Sequence, residues 1–132
     1  MVTLKNLSAA VVAAHGIGFS LWFLASWLGM KTGSGSQWLF SDLTITSPAG
    51  KLFGIVALIL IVGFLATAVG IFTSASWWPA VGLVSATAAM LVVVPWWNVV
   101  PLTSALGASV VNAALILAAF ISGAGQQLLQ RA

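Results

Sequence analysis

The 132-residue chain is as long as one ordinary domain, but 61% of its residues are hydrophobic and 4% charged, where a soluble domain carries about 25% charged side chains. A water-soluble exterior cannot be assembled from that composition. The net charge of +3 and isoelectric point near 10.3 do not mark a nucleic-acid binder, because the four cations are scattered near the ends of apolar segments, where lipid headgroups meet them. Cysteine is absent, which excludes disulfides, thiolate metal sites and thiol catalysis.

The first apolar stretch, from about Leu7 to Met30, is long enough to cross a hydrocarbon core of about 30 Å with some tilt. Lys5 ahead of it imitates the start of a signal peptide. The stretch is too long for a signal core and no clean small-x-small cleavage site follows, so it is expected to be a retained span. Residues 31–50, KTGSGSQWLFSDLTITSPAG, concentrate Gly, Ser, Thr and Pro with Lys31 and Asp42, and read as a water-exposed loop. Trp38, Leu39 and Phe40 would lay part of it on the membrane interface.

Leu52 to Gln130 is a run of 79 residues without Asp, Glu, Lys, Arg or His, far beyond the roughly 20 needed for one crossing. It divides into three further spans, at about 52–73, 79–97 and 103–126. Ser74 to Trp78 is a tight connection, and Pro79 suits the first turn of the third helix. Pro95 and Pro101 bracket Asn98 and close that helix off. The fourth span ends in a polar tail of Gln126, Gln127, Gln130 and Arg131. Trp38, Trp77, Trp78, Trp96 and Trp97 fall at span termini, the headgroup level that tryptophan prefers.

The expected fold class is therefore all-α: a single transmembrane domain over residues 1–132, an integral membrane four-helix bundle with up-down-up-down topology. An even number of spans puts both termini on one side. Lys5, Arg131 and the α-amino group on that side face Lys31 and Lys51 on the other, which favours cytoplasmic termini while leaving the orientation weakly coded. Helices in lipid associate through close backbone approach, so small residues at four-residue spacing are the expected contacts. They are Ala10, Ala14 and Gly18 in the first helix; Gly63, Thr67 and Gly70 in the second; Gly82, Ser85, Ala86 and Ala89 in the third; and Ala114, Ala118 and Ser122 in the fourth. Four short helices leave much surface for self-association or for other subunits.

Few polar residues sit at membrane depth. His15 is the one ionisable side chain well inside a span, and such residues usually face the bundle interior. Three readings fit it: a neutral imidazole bonded to a neighbouring helix, an axial ligand to a tetrapyrrole metal, or a proton-relay or substrate contact. Asn112, mid-span in the fourth helix, suits a hydrogen bond across helices or a ligand contact. Ser20, Ser26, Thr67, Ser85, Thr87 and Ser109 can satisfy their hydroxyls on their own helix carbonyls. The WWNVVP motif from Trp96 to Pro101 either anchors the interface or, with Asn98, Trp22, Trp27 and the long loop, rims a cleft for a small molecule.

Catalysis finds little footing. With one Asp, no Glu and one His, only Asp42 and His15 could pair, and the proposed boundary separates them. No phosphate loop or metal-ligand spacing is present, and the membrane carboxylate of a small proton-coupled exporter is missing.

The His-Gly of the first span (AAHGIGF, 13–19), the lysine-opened second span (KLFGIVALILIVGFLATAVGIF) and the Trp-Trp turn (SWWPAVGLVSA) resemble small prokaryotic four-span membrane proteins loosely similar to the DoxX type. The resemblance implies an inner-membrane protein of that build and supplies no catalytic residues. The leading expectation is a non-enzymatic accessory or structural subunit of a larger membrane complex. The alternative is a binder or carrier of a lipid, quinone or pigment, using His15, Asn112 and the tryptophans, with a tetrapyrrole or carotenoid as the minority cofactor.

Overall fold

A computed structural model describes residues 3–124. All regular structure among them is helical, and three of the helices are long and apolar enough to cross a membrane. The first is made of α1 (Leu4–Gly18) and α2 (Ser20–Leu28), joined at Phe19. It starts a turn earlier than hydrophobicity implied, because Thr3 caps it: its hydroxyl accepts from the Asn6 amide at 3.2 Å. Lys5 therefore lies inside the helix. The joint falls in the Gly16-Ile17-Gly18-Phe19 stretch, where glycines weaken the α-helical ladder and the Phe19 amide bonds Gly16 three residues back. At the far end Gly29 takes a left-handed conformation, φ 64°, that ends α2.

The second long helix, α3 (Pro48–Phe72), begins four residues before the expected Leu52. Ser47 caps it, accepting from the Gly50 amide at 3.2 Å, and Pro48 occupies its first turn. Lys51 is thus within the helix rather than at its mouth. Next, α4 (Trp78–Val93) stops short of the expected Trp97, since Pro95 has no amide to continue the ladder. Its 16 residues rise only about 24 Å, less than the hydrocarbon core. A turn of 3₁₀ helix at Trp97–Val99 leads into α5 (Leu102–Ala119), which continues as a π-helical turn, Phe120–Ala124. The expected end of that span at Gln126 and the tail Gln126, Gln127, Gln130 and Arg131 lie outside the described residues.

The 30–47 loop does not simply project into solvent. One antiparallel bridge, Gln37–Thr44, gives it shape. Its backbone is bonded to the α4–α5 connection: Gly35 to the Asn98 carbonyl and Leu39 to the Pro95 carbonyl, both 2.9 Å. Thr32 adds a hydroxyl bond to the Val99 carbonyl. Gly33 permits this approach, since a Cβ there would lie 2.6 Å from the Asn98 carbonyl oxygen. Ile45 is buried beneath the loop, and the half-buried Trp38 meets Trp96 edge-on at 5.2 Å and Phe53 at 5.4 Å. Trp96, expected at the interface, is consequently 0% exposed.

Packing follows the small residues in part. At α3–α4, Gly63 faces Ser85, Gly70 faces Trp78, and Gly82 lies against Thr67; a Cβ on Gly63 would fall 2.4 Å from the Ser85 oxygen. Ala86 and Ala89 are fully buried. The α1 expectation fails, because Ala10, Ala14 and Gly18 are exposed while Ala9, Val12 and Gly16 are the buried residues of that helix. Gly16 lies so close to α3 that a Cβ would meet Phe64 Cβ at 2.6 Å. On α5, Ala114, Ala118 and Ser122 are exposed too, whereas Ala105, Ala108, Asn112 and Leu115 are buried. Consecutive long elements pack side by side, but α1 and α5 barely touch.

Candidate functional site

Where α1 and α5 do approach, the contact is polar. His15 Nε2 lies 2.7 Å from Asn112 Oδ1, linking residues 97 positions apart. Asn112 is 0% exposed, and its Nδ2 donates to the Met90 thioether of α4 at 3.5 Å. A thioether accepts but cannot donate, so the amide nitrogen faces sulfur and the oxygen faces the imidazole. The imidazole proton is thereby assigned to Nε2, leaving Nδ1 as an acceptor with no hydrogen-bond partner among the described residues.

Aromatic rings hold the imidazole in place. Phe19, one turn along, and Phe64 of α3 meet it edge to face at 5.2 and 4.6 Å. Phe19 also stacks on Trp22 at 5.0 Å and on Phe64 at 5.5 Å. The Trp22 indole donates a long bond, 3.4 Å, to the Trp96 carbonyl. The glycine at 16 lets Phe64 in. Had it been a larger residue, the ring would be displaced from beneath His15.

This cluster borders an open groove along the α1–α5 seam. One stretch, about 300 Å³, is walled by His15, Phe19 and Trp22 on one side and Gly107, Ala108 and Val111 on the other. A second, about 510 Å³, continues toward the α1 N-terminus past Val12, Trp78, Ala114 and Ala118. Val11 and Val111 border both, so the two adjoin. From Lys5 to Trp22 the groove follows about 26 Å of helix, nearly the thickness of a hydrocarbon core. Volumes of this size, apolar with one or two placed polar groups, suit a small molecule.

The six candidate residues divide. His15, Asn112, Trp22 and the Trp96 backbone come together. Trp27 stands apart and is 45% exposed; its indole donates to the Lys51 carbonyl at 3.0 Å and the Lys51 ammonium lies 5.3 Å from its ring. Asn98 is also outside the groove, packed beneath Gly35, with its Oδ1 buried and unbonded among the described residues. Trp96 Nε1 is similarly buried without a partner. Trp96 and Asn98 of the WWNVVP motif thus underlie the loop, while Val99 borders a separate cleft of about 300 Å³ with loop residues Thr32, Gly35 and Thr44. Phe19, Phe64, Met90 and Gly107 complete the site and were not singled out from the sequence; the His15–Phe19 spacing of four was the available signal.

Ser26, Thr67 and Ser109 hydroxyls bond carbonyls of their own helices at 3.1, 2.8 and 2.9 Å, as expected of buried hydroxyls in lipid. Among the described residues no three His, Cys, Asp or Glu side chains converge. The outer ring nitrogen of His15, the one best placed to reach a tetrapyrrole metal, is committed to Asn112, so such a group would have to approach the nitrogen nearer the helix backbone. Comparison with protein-family models, with characterised proteins and with solved structures finds no match.

Proposed function

We propose that the chain is a small non-enzymatic integral membrane protein that binds a hydrophobic molecule, of lipid, quinone or pigment class, in the His15 half of the α1–α5 groove. One observation carries this reading: the seam between two helices stays open beside a single oriented imidazole at mid-depth. Nδ1 is left as an acceptor for one polar group of a ligand, the buried Phe19 and Trp22 back the imidazole, and Val11, Gly107 and Val111 supply apolar wall. Asn112 acts by holding the ring.

Four crossings in up-down-up-down order are part of the proposal. Contacts between Lys5 and Ser74, Gly16 and Phe64, and Ser26 and Gly54 support opposed directions for the first span and α3. Gly63 with Ser85 and Gly70 with Trp78 support the same for α3 and α4. The short α4 crosses because the Trp96–Pro101 turn is covered by the loop, and irregular backbone is tolerated at depth when protein covers it. Cytoplasmic termini, favoured by the cation distribution, and a prokaryotic inner membrane, implied by the DoxX-type resemblance, complete the reading.

Titrating the detergent-purified protein with a short-chain naphthoquinone, a carotenoid and a phospholipid, and reading tryptophan fluorescence, tests binding. Saturable quenching that disappears in Gly107→Phe, which fills the groove, is expected for at least one ligand class. No saturable response from any of the three overturns the proposal. The second reading, an accessory subunit of a membrane complex, draws support from the outward-facing Ala114, Ala118 and Ser122, which offer a close-packing surface to another subunit's helix. A stoichiometric partner retained in mild detergent would favour it over ligand binding.

A further inference from the structure

The half of the groove nearer the α1 N-terminus differs from the His15 cleft. Its walls are apolar, but its mouth carries Lys5 and the hydroxyls of Ser8 and Ser122. The Lys5 ammonium donates to Ser74 Oγ at 3.3 Å, just beyond the last residue of α3, which holds the charge at the opening. The sequence contains a single acidic side chain, Asp42, and it lies in the loop before α3. The 25 residues of α3 place it about 37 Å from the Lys5 end. Among the described residues no carboxylate side chain lies at this mouth.

We infer that this half-groove is a site for an anionic phospholipid, its headgroup on Lys5 and Ser122 and one acyl chain lying along Val11, Val111 and Ala114. The dimensions agree. Lys5 to His15 spans ten residues, about 15 Å, or half of a core about 30 Å thick, so a chain entering from this face ends at the level of His15. A free phosphate would use the ammonium and none of the apolar wall. This site is separate from the His15 cleft and does not require it to bind anything.

The test is native mass spectrometry of the full-length protein in mild detergent with equal amounts of phosphatidylglycerol and phosphatidylcholine of identical chains. Wild type is expected to retain phosphatidylglycerol about fivefold in preference, the effect of one interfacial lysine. Lys5→Ala lowers that preference, Lys5→Arg keeps it, and Lys51→Ala at the opposite end leaves it unchanged. Ala114→Phe, which blocks the wall, lowers retention of both lipids together. Equal retention by wild type, an unchanged preference in Lys5→Ala, a preference lost in Lys51→Ala alone, or full lipid retention by Ala114→Phe would each overturn the assignment. So would a stable dimer that excludes lipid, because the groove would then be occupied by a second copy.

Discussion

The pairing of His15 with Asn112 makes a quantitative prediction. Asn112→Leu keeps side-chain volume while removing the acceptor, and leaves the imidazole N–H unbonded beside Phe64, at a cost of about 1–3 kcal/mol. His15→Phe preserves the ring contacts with Phe19 and Phe64 but strands the buried Asn112 oxygen, at a similar cost. The double substitution removes both polar groups, so it is expected to be less destabilised than the sum of the two, with a coupling of about 1–3 kcal/mol. That exceeds the roughly 0.6 kcal/mol average for a hydrogen bond between membrane helices because each single variant leaves an orphan. Reversible unfolding in mixed SDS and mild detergent, followed by far-UV circular dichroism, reads all four corners of the cycle. Additive single effects, or an Asn112→Leu variant as stable as wild type, would refute the tie between α1 and α5.

Three further substitutions separate packing from propensity and capping. Gly50→Ala would set a Cβ 2.0 Å from the Ile45 carbonyl oxygen, a backbone atom that cannot swing aside, so the loop should lift and become protease-sensitive, with stability falling by about 1–3 kcal/mol. Gly107→Ala meets no atom within 4 Å and should stabilise α5 by about 0.5–1 kcal/mol, visible as a raised midpoint in the same unfolding assay. Ser47→Ala removes the cap on α3 and should cost about 1 kcal/mol, with a Ser47→Asp variant recovering most of it.

Much of the helical organisation is written in plain signals. The uncharged run from Leu52 onward, the Gly/Ser-rich loop and the prolines locate the helices to within a few residues. Their ends moved where a cap outweighed hydrophobicity, at Thr3 and at Ser47-Pro48, and both caps were readable. Spacing located the α3–α4 contact because Gly63, Thr67, Gly70 and Gly82 stand among bulky residues. It failed on α1, where Ala9, Ala10, Ala13 and Ala14 are all small and periodicity cannot choose between faces. The burial of Trp96 was not legible either, since it depends on a loop distant in sequence folding back over it. His15 and Asn112 were visible separately as the polar side chains at depth, whereas their pairing depends on how α5 is rotated, which no local pattern encodes.

The groove's occupancy is tested most directly by releasing the protein from its native membrane in mild detergent, measuring its intact mass, and identifying what dissociates from it. The account predicts a lipophilic molecule in the His15 cleft, retained by wild type and lost from Gly107→Phe, beside the phospholipid at Lys5, which that substitution leaves in place. A set of adducts left wholly unchanged by that substitution, no lipophilic adduct beyond the phospholipid, or a stoichiometric protein partner in its place would contradict it.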